Sequence, residues 1–237
     1  MIKKSIMKQF ILIFLATLMS FQTQAQVQQE EKRKFITPIW LSHSSNTDIL
    51  GLSLGFYPKA WVKDFKNTRT FGLRTEIFVF SPLYFLAPRS PLSRTDEQYD
   101  LLINNKEVSE QIYGINISTG TFDIIDSYGI SITGIIHYSR KNNGISIAGL
   151  GNVIERANGL IIGTAGNEVY KGNGLMIAGM GNEVKHFNGI QIGGTNDIIA
   201  YGRGIQIGIY NKAKNFKGLQ IGLWNENDKR SFPIINW

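Results

Sequence analysis

Glycine falls on a fixed beat through this chain: Gly114, Gly129, Gly144, Gly159, Gly174, Gly189, Gly204 and Gly218 are fifteen residues apart, and fourteen at the last step. Self-similarity at a fixed period is the signature of a repeat architecture and limits the fold more than any other feature. With that glycine as position 0, position +1 is always aliphatic: Ile115, Ile130, Ile145, Leu160, Leu175, Ile190, Ile205 and Leu219. Position +3 is isoleucine in every unit: Ile117, Ile132, Ile147, Ile162, Ile177, Ile192, Ile207 and Ile221. Position +4 is small: Ser118, Thr133, Ala148, Gly163, Ala178, Gly193, Gly208 and Gly222.

Aliphatics two apart with a mixed residue between them describe a short strand buried on one face. A helix needs a period of 3.6, and five glycine-bounded residues are too few for one. Asn152, Asn167, Asn182, Asn196, Asn211 and Asn225 then mark a turn, since asparagine tolerates left-handed backbone. A weaker apolar column follows, at Ile124, Ile154, Val169, Val184 and Ile199, and a second turn, often Asn-Gly, closes the unit. Each unit therefore reads as two short strands and two turns.

Two all-β architectures accommodate such units. In a β-solenoid each unit is one coil of about 15 residues, and like residues stack about 4.8 Å apart. In an outer-membrane β-barrel each unit is one spanning strand and a turn, for which GIQIGIYN and GLQIGLWN alternate suitably. Alternate barrel strands run in opposite directions, which gives identical residues no reason to keep one phase. Coil stacking gives that reason directly, so the solenoid is the expected fold and the barrel the alternative.

In the expected solenoid the +3 isoleucines form an interior ladder. The +2 column of Asn116, Ser131, Ser146, Ile161, Met176, Gln191, Gln206 and Gln220 then faces outward, a flat strip that serves as the candidate binding face.

The array is expected over 111–228, with 229–237 (KRSFPIINW from Lys229) as a cap: Pro233 cannot extend a ladder, and Phe232, Ile234, Ile235 and Trp237 would cover the last coil. Residues 35–110 form a less regular β-containing region, in which Leu50–Gly55 and Phe71–Glu76 read as degenerate copies of the strand unit. The apolar FVFSPLYFLAPRSPL, from Phe78 to Leu92, is expected chiefly to cover the first coil, with a docking loop or a membrane-dipping segment as alternatives. Residues 93–110 are polar and expected to form a loop or short helix.

Lys3, Lys4 and Lys8, the apolar run Phe10–Phe21 and the small-residue site Thr23-Gln24-Ala25 predict a signal peptide over 1–25, followed by a disordered 26–34. Export is thus expected, to the outer membrane, the cell surface or the periplasm. The chain has no cysteine, so it has neither a disulfide framework nor thiol chemistry. Loss of three leader lysines leaves 22 basic against 18 acidic residues, a modest, dispersed excess with no nucleic-acid signature.

No catalytic or metal-ligand spacing stands out. Of His43, His137 and His186 only the last has a close acidic neighbour, Glu183, and a turn-exposed histidine is the expected state. Asp123 with Asp126, and Asp96 with Glu97, read as solvated turn residues. Glycine-rich matches inside the array follow from the repeat and point to no phosphate. No enzyme activity, cofactor or metal is therefore expected.

GIQIGIYN, GLQIGLWN, the LAPRSPL segment (Leu86 to Leu92) and the FPIINW ending resemble an uncharacterised family of exported surface-repeat proteins of Gram-negative bacteria. That resemblance implies a surface or outer-membrane-associated location, and it carries over no activity and no functional residue. The expected function is a non-enzymatic envelope repeat protein, a scaffold or binding surface for an envelope or extracellular partner. An integral outer-membrane barrel, acting as a small pore or anchor, is the alternative.

Overall fold

A computed structural model describes residues 33–59, 66–86, 90–105 and 107–237. The expected signal peptide, most of the expected disordered stretch and part of the LAPRSPL segment lie outside the described residues.

The chain from Lys34 onward is an all-β solenoid. Its strands are β1 (Lys34–Ile36), β2 (Ile39–Leu41), β3 (Thr47–Gly55), β4 (Thr68–Glu76), β5 (Glu110–Ser118), β6 (Thr121–Phe122) and β7 (Ile125–Thr133). They continue with β8 (Ile136–Ala148), β9 (Gly151–Gly163), β10 (Gly166–Ala178), β11 (Gly181–Ala213), β12 (Phe216–Asn227) and β13 (Ser231–Asn236). All belong to one sheet, in which every pairing is parallel except the last, β12 with β13. Parallel stacking at constant register defines a solenoid and contradicts a barrel, whose neighbours alternate in direction. Each regular coil is one strand of 13 residues plus a two-residue turn, rather than two strands and two turns.

The register explains the fifteen-residue beat. Gly51, Gly72, Gly114, Gly129, Gly144, Gly159, Gly174 and Gly189 lie directly over one another, so the segments around Gly51 and Gly72 are full rungs of the same array. The Asn-Gly pairs are not turns: the strand runs through them, bending at the glycine. Gly174 has φ +122°, and a Cβ there would lie 2.1 Å from the carbonyl oxygen of Gly159 in the coil beside it. Only glycine satisfies both conditions.

Side chains alternate across the coil wall, and they do so in the opposite sense to the sequence expectation. The apolar core is built from Ile154, Val169, Val184 and Ile198 of the weaker column, joined by Ala157, Ile161, Met176, Phe187 and Ala213. Ile199, the residue aligned with that column by sequence, is turned out, because this unit is one residue shorter between Asn182 and Asn196. The strong +3 isoleucines face outward.

The asparagine column also lies inside. Asn167 Nδ2 donates to Asn182 Oδ1 at 2.8 Å and to the Ile177 carbonyl at 2.8 Å, and the pattern repeats from Asn152 to Asn225. Each buried amide thus ties its own coil to the next, which satisfies polar groups that burial would otherwise penalise.

Two irregular pieces complete the unit. Helix α1 (Asp96–Asn104), capped by Thr95, lies against the coils: Tyr99 stacks on Tyr170 at 4.6 Å, and Arg140 donates to the carbonyl of Asn105 at 2.6 Å. At the far end β13, which contains Pro233, pairs antiparallel with β12, so the tail adds a strand to the ladder that Pro233 was expected to end. The apolar residues expected to cover the last coil are nevertheless exposed: Phe232, Ile234, Ile235 and Trp237 point out, and Asn236 is the buried one. Asn236 Nδ2 donates to Gln220 Oε1 at 2.9 Å, and the Arg230 guanidinium stacks 3.9 Å over the Trp237 ring.

Candidate functional site

The column proposed from sequence as a binding face is interior. Asn116, Ser131, Ser146, Gln191, Gln206 and Gln220 have no exposed surface, and Ile161 and Met176 keep 1 % each. Its polar end is a hydrogen-bonded ladder: Gln220 Nε2 donates to Gln206 Oε1, and Gln206 Nε2 to Gln191 Oε1, both at 2.8 Å. In the middle, Ile161 and Met176 join the apolar core. Toward the first coils Ser131 bonds Ser127 at 2.8 Å, Ser146 donates to Asn152 at 2.6 Å and Asn116 accepts from Arg74 at 3.1 Å. The column mixes amides, hydroxyls and aliphatics and is buried because the glutamines bond from coil to coil, the serines bond within their own coil and the aliphatics join the core. As a surface for a ligand it is inaccessible.

What faces solvent is the pair of aliphatic columns. Ile115, Ile130 and Ile190 at +1, and Ile117, Ile132, Ile147, Ile192, Ile207 and Ile221 at +3, keep 36–46 % of their surface. Along the stack these residues are flanked by Ile or Leu, except that Ile117 has Thr75 on one side, so the remaining exposure is that of the outward tip. Two further columns widen the wall. Position −1 carries Leu50, Phe71, Tyr113 and Tyr128, then Asn143, Asn158, Asn173 and Asn188, then Arg203 and Lys217. Its aromatics stack face to face, Phe71 on Tyr113 at 5.0 Å and Tyr113 on Tyr128 at 4.9 Å, and its asparagines form a second amide ladder. Position +5 adds Phe56 and Ile77 at one end and Ile209 and Leu223 at the other, all strongly exposed. The following segment leaves Val79, Phe80 and Leu83 exposed and buries Phe78, so only part of the predicted coil cover is cover.

With ten rungs about 4.8 Å apart, this wall is about 43 Å long and up to about 20 Å wide from −1 to +5. The largest apolar patch on a typical monomer covers roughly 300–600 Å². The wall exceeds that, and no described residue covers it.

The titratable residues sit elsewhere. Lys59, Arg74, Glu76, Glu110 and Asp123 are gathered inside the first coils. Arg74 pairs with Glu76 and, at 3.1 Å, with Glu110; Lys59 Nζ lies 3.6 Å from Glu110; and Asp123 accepts from the Lys59 backbone N–H at 2.7 Å. Burial pushes the Lys59 ammonium down. Burial also works against Glu110, but Arg74 and Lys59 prevail and hold its carboxyl below the usual range. Asp123 and Asp126 are thus not solvated turn residues. Asp126 is buried and bound by Arg140 through two bonds, of 2.8 and 2.5 Å. Asp96 does remain exposed at the start of α1, accepting from Tyr170 at 2.8 Å.

His137 is not turn-exposed either. It occupies the asparagine column opposite Asn152, with Nδ1 3.0 Å from the Thr121 hydroxyl, and burial pushes its pKa down to about 3. It is neutral at any ordinary pH. His186 is partly exposed and meets Asp96 at 3.5 Å rather than Glu183. Among the described residues no group of three or more His, Cys, Asp or Glu could hold a metal ion. The charged cluster is sealed inside the coils and internally paired.

The signal that would have found the correct face was present. Positions +2 and +4 share parity, and +4 is small in every unit from Gly114 onward; only at the Gly72 rung does a large residue, Glu76, take it, paired with Arg74. A narrow interior accepts Ala, Gly, Ser and Thr on every rung, whereas an outward face places no limit on size. Compared with family models, curated proteins and solved structures, the chain matches none.

Proposed function

We propose that this chain is a non-enzymatic repeat protein of the cell envelope, a scaffold that binds through its aliphatic wall. The observation that carries the reading is the outward placement of the +1 and +3 columns over ten rungs. Soluble proteins keep large contiguous apolar surface where something docks. A parallel stack held by internal amide ladders and glycine contacts is rigid, and rigidity reduces the ordering cost of binding. The envelope assignment is supported by Lys3, Lys4 and Lys8 followed by the apolar run to Phe21, and by the resemblance noted above.

The test joins location to surface chemistry. In fractionated cells the protein is expected with the envelope, and recovery in the cytoplasm would contradict that part. A dye that fluoresces on apolar surface should bind the folded chain strongly. Replacing Ile132, Ile147 and Ile162 with threonine should reduce the signal severalfold without moving the melting temperature. Unchanged dye binding would remove the wall from the reading.

A further inference from the structure

We propose that the aliphatic wall seats the protein on the surface of an anionic lipid leaflet; this rests on the reading of the wall as the binding surface and names what it binds.

The charge on and around the wall suits such a surface. Across ten rungs, positions −1, +1, +3 and +5 contain no acidic residue, and their only charged groups are Arg203 and Lys217, both exposed at −1. Two positions further back on neighbouring strands stand Lys141, Arg156 and Lys171, in register with one another. In the same column Asp48 is engaged by Arg69 and Asp126 by Arg140; Asp100 of α1 and Glu155 lie beside Tyr99, the ring that Lys171 covers, behind these cations rather than on the wall. An apolar face bordered by cations and empty of anions matches a surface of acyl chains beneath anionic headgroups.

A twofold dimer presents one patch to itself. Here Arg203 and Lys217 would meet a surface with no carboxylate for them, whereas lipid phosphates supply the missing partner.

The apolar groups are also distributed as a leaflet surface requires. Strongly exposed apolar side chains run along the margin of the wall: Val79, Phe80 and Leu83 after the second rung, Met180 midway, and Ile209, Leu223 and Trp224 on the last two rungs. Trp224 and the Phe71–Tyr113–Tyr128 stack have the amphipathic aromatic character favoured at a lipid–water boundary. A rigid plane with apolar groups projecting along its margin lies along a leaflet without crossing it.

The experiment is flotation of the whole chain with vesicles of phosphatidylcholine alone and of phosphatidylcholine mixed with phosphatidylglycerol. Binding is expected to the mixed vesicles, weaker at high salt and much weaker to phosphatidylcholine alone. Ile147→Thr, Ile177→Thr and Ile192→Thr together should weaken it at least about tenfold. Threonine is native to this column at Thr75, so the strand content and melting temperature should be retained. Arg203→Gln with Lys217→Gln should cost about fivefold for each cation and flatten the salt dependence.

Vesicle binding that both variants leave intact would place the contact elsewhere on the chain, such as its apolar residues 10–21, and overturn the proposal. Equal binding to both vesicle types would overturn the anionic preference. A chain that ignores vesicles but sediments as a dimer, with the dimer lost in the threonine variant, would overturn the lipid assignment and leave the wall as a docking surface. A chain that ignores vesicles and stays monomeric, with dye binding unaffected by the threonines, would remove both.

Discussion

Met176 and Ile177 are neighbours in the chain and lie on opposite sides of one coil wall. Met176 is 1 % exposed, in register between Ile161 and Gln191, while Ile177 lies in the outward column between Ile162 and Ile192. Met176→Asp places an unpaired carboxylate in the apolar core and should destabilise by about 4 kcal/mol or more. Ile177→Asp puts the same group in water and should cost about 1 kcal/mol or less. Thermal melts of the two variants check the order, and the reverse order would place the interior on the isoleucine side.

Asn167 holds three partners at once: it accepts from Asn152 and donates to Asn182 and to the Ile177 carbonyl. Asn167→Ala strands buried groups on both adjoining coils and should cost about 2–4 kcal/mol. Asn173 belongs to the outer ladder, where water replaces lost partners, and Asn173→Ala should cost about 1 kcal/mol or less. Urea unfolding of both variants measures the difference.

Gly174→Ala forces a Cβ against the Gly159 carbonyl in a backbone conformation that L-residues avoid. A loss of about 3 kcal/mol or more is expected, with amide exchange accelerated in both adjoining coils. Gly134→Ala is the comparison: φ is ordinary there, the nearest atom is 3.3 Å away, and a much smaller loss is expected.

His137 sets an acid limit on stability. Its pKa falls from 6.5 in the unfolded chain to about 3 in the fold, through burial first and the Arg74 charge second. Below about 6.5 the unfolded chain takes up a proton that the folded chain refuses. The stabilisation is therefore complete above pH 6.5 and lost as pH falls toward 3, by about 1.4 kcal/mol per unit at most. His137→Asn restores the residue that the column carries at Asn152 and should flatten this limb. Glu76, pushed up by burial, and Glu110, whose carboxyl Arg74 and Lys59 hold down against burial, are present in both proteins, so the difference between the two pH–stability curves isolates the histidine. Parallel curves would mean that His137 is protonated in the fold.

The period, the stacking of coils and the two early rungs were legible in the sequence, and a short helix was one of the two readings of residues 93–110. Each is a statement about spacing or backbone, and glycine and a fixed beat report on those directly. The facing of the wall was not legible by hydrophobicity, because that reasoning assumes the most apolar column is the buried one. In a solenoid, identical polar side chains stack and bond to each other, as Gln191, Gln206 and Gln220 do, so an amide column can be interior. The isoleucines are then free to face out, where their β-branched shape still favours the strand. The buried charges of the first coils escaped for a related reason: Lys59, Arg74 and Glu110 come from different rungs, and no local spacing announces their meeting.

The absence of native cysteine gives a direct test of the wall's orientation. Single cysteines are placed at Ser146, Ile147, Met176 and Ile177, and the rate of maleimide labelling is measured in the folded and the denatured chain. Ile147→Cys and Ile177→Cys are expected to react in the folded state almost as fast as in denaturant, while Ser146→Cys and Met176→Cys stay protected until the chain unfolds. Fast labelling at 146 and 176 with protection at 147 and 177 would contradict the outward aliphatic wall and every inference drawn from it.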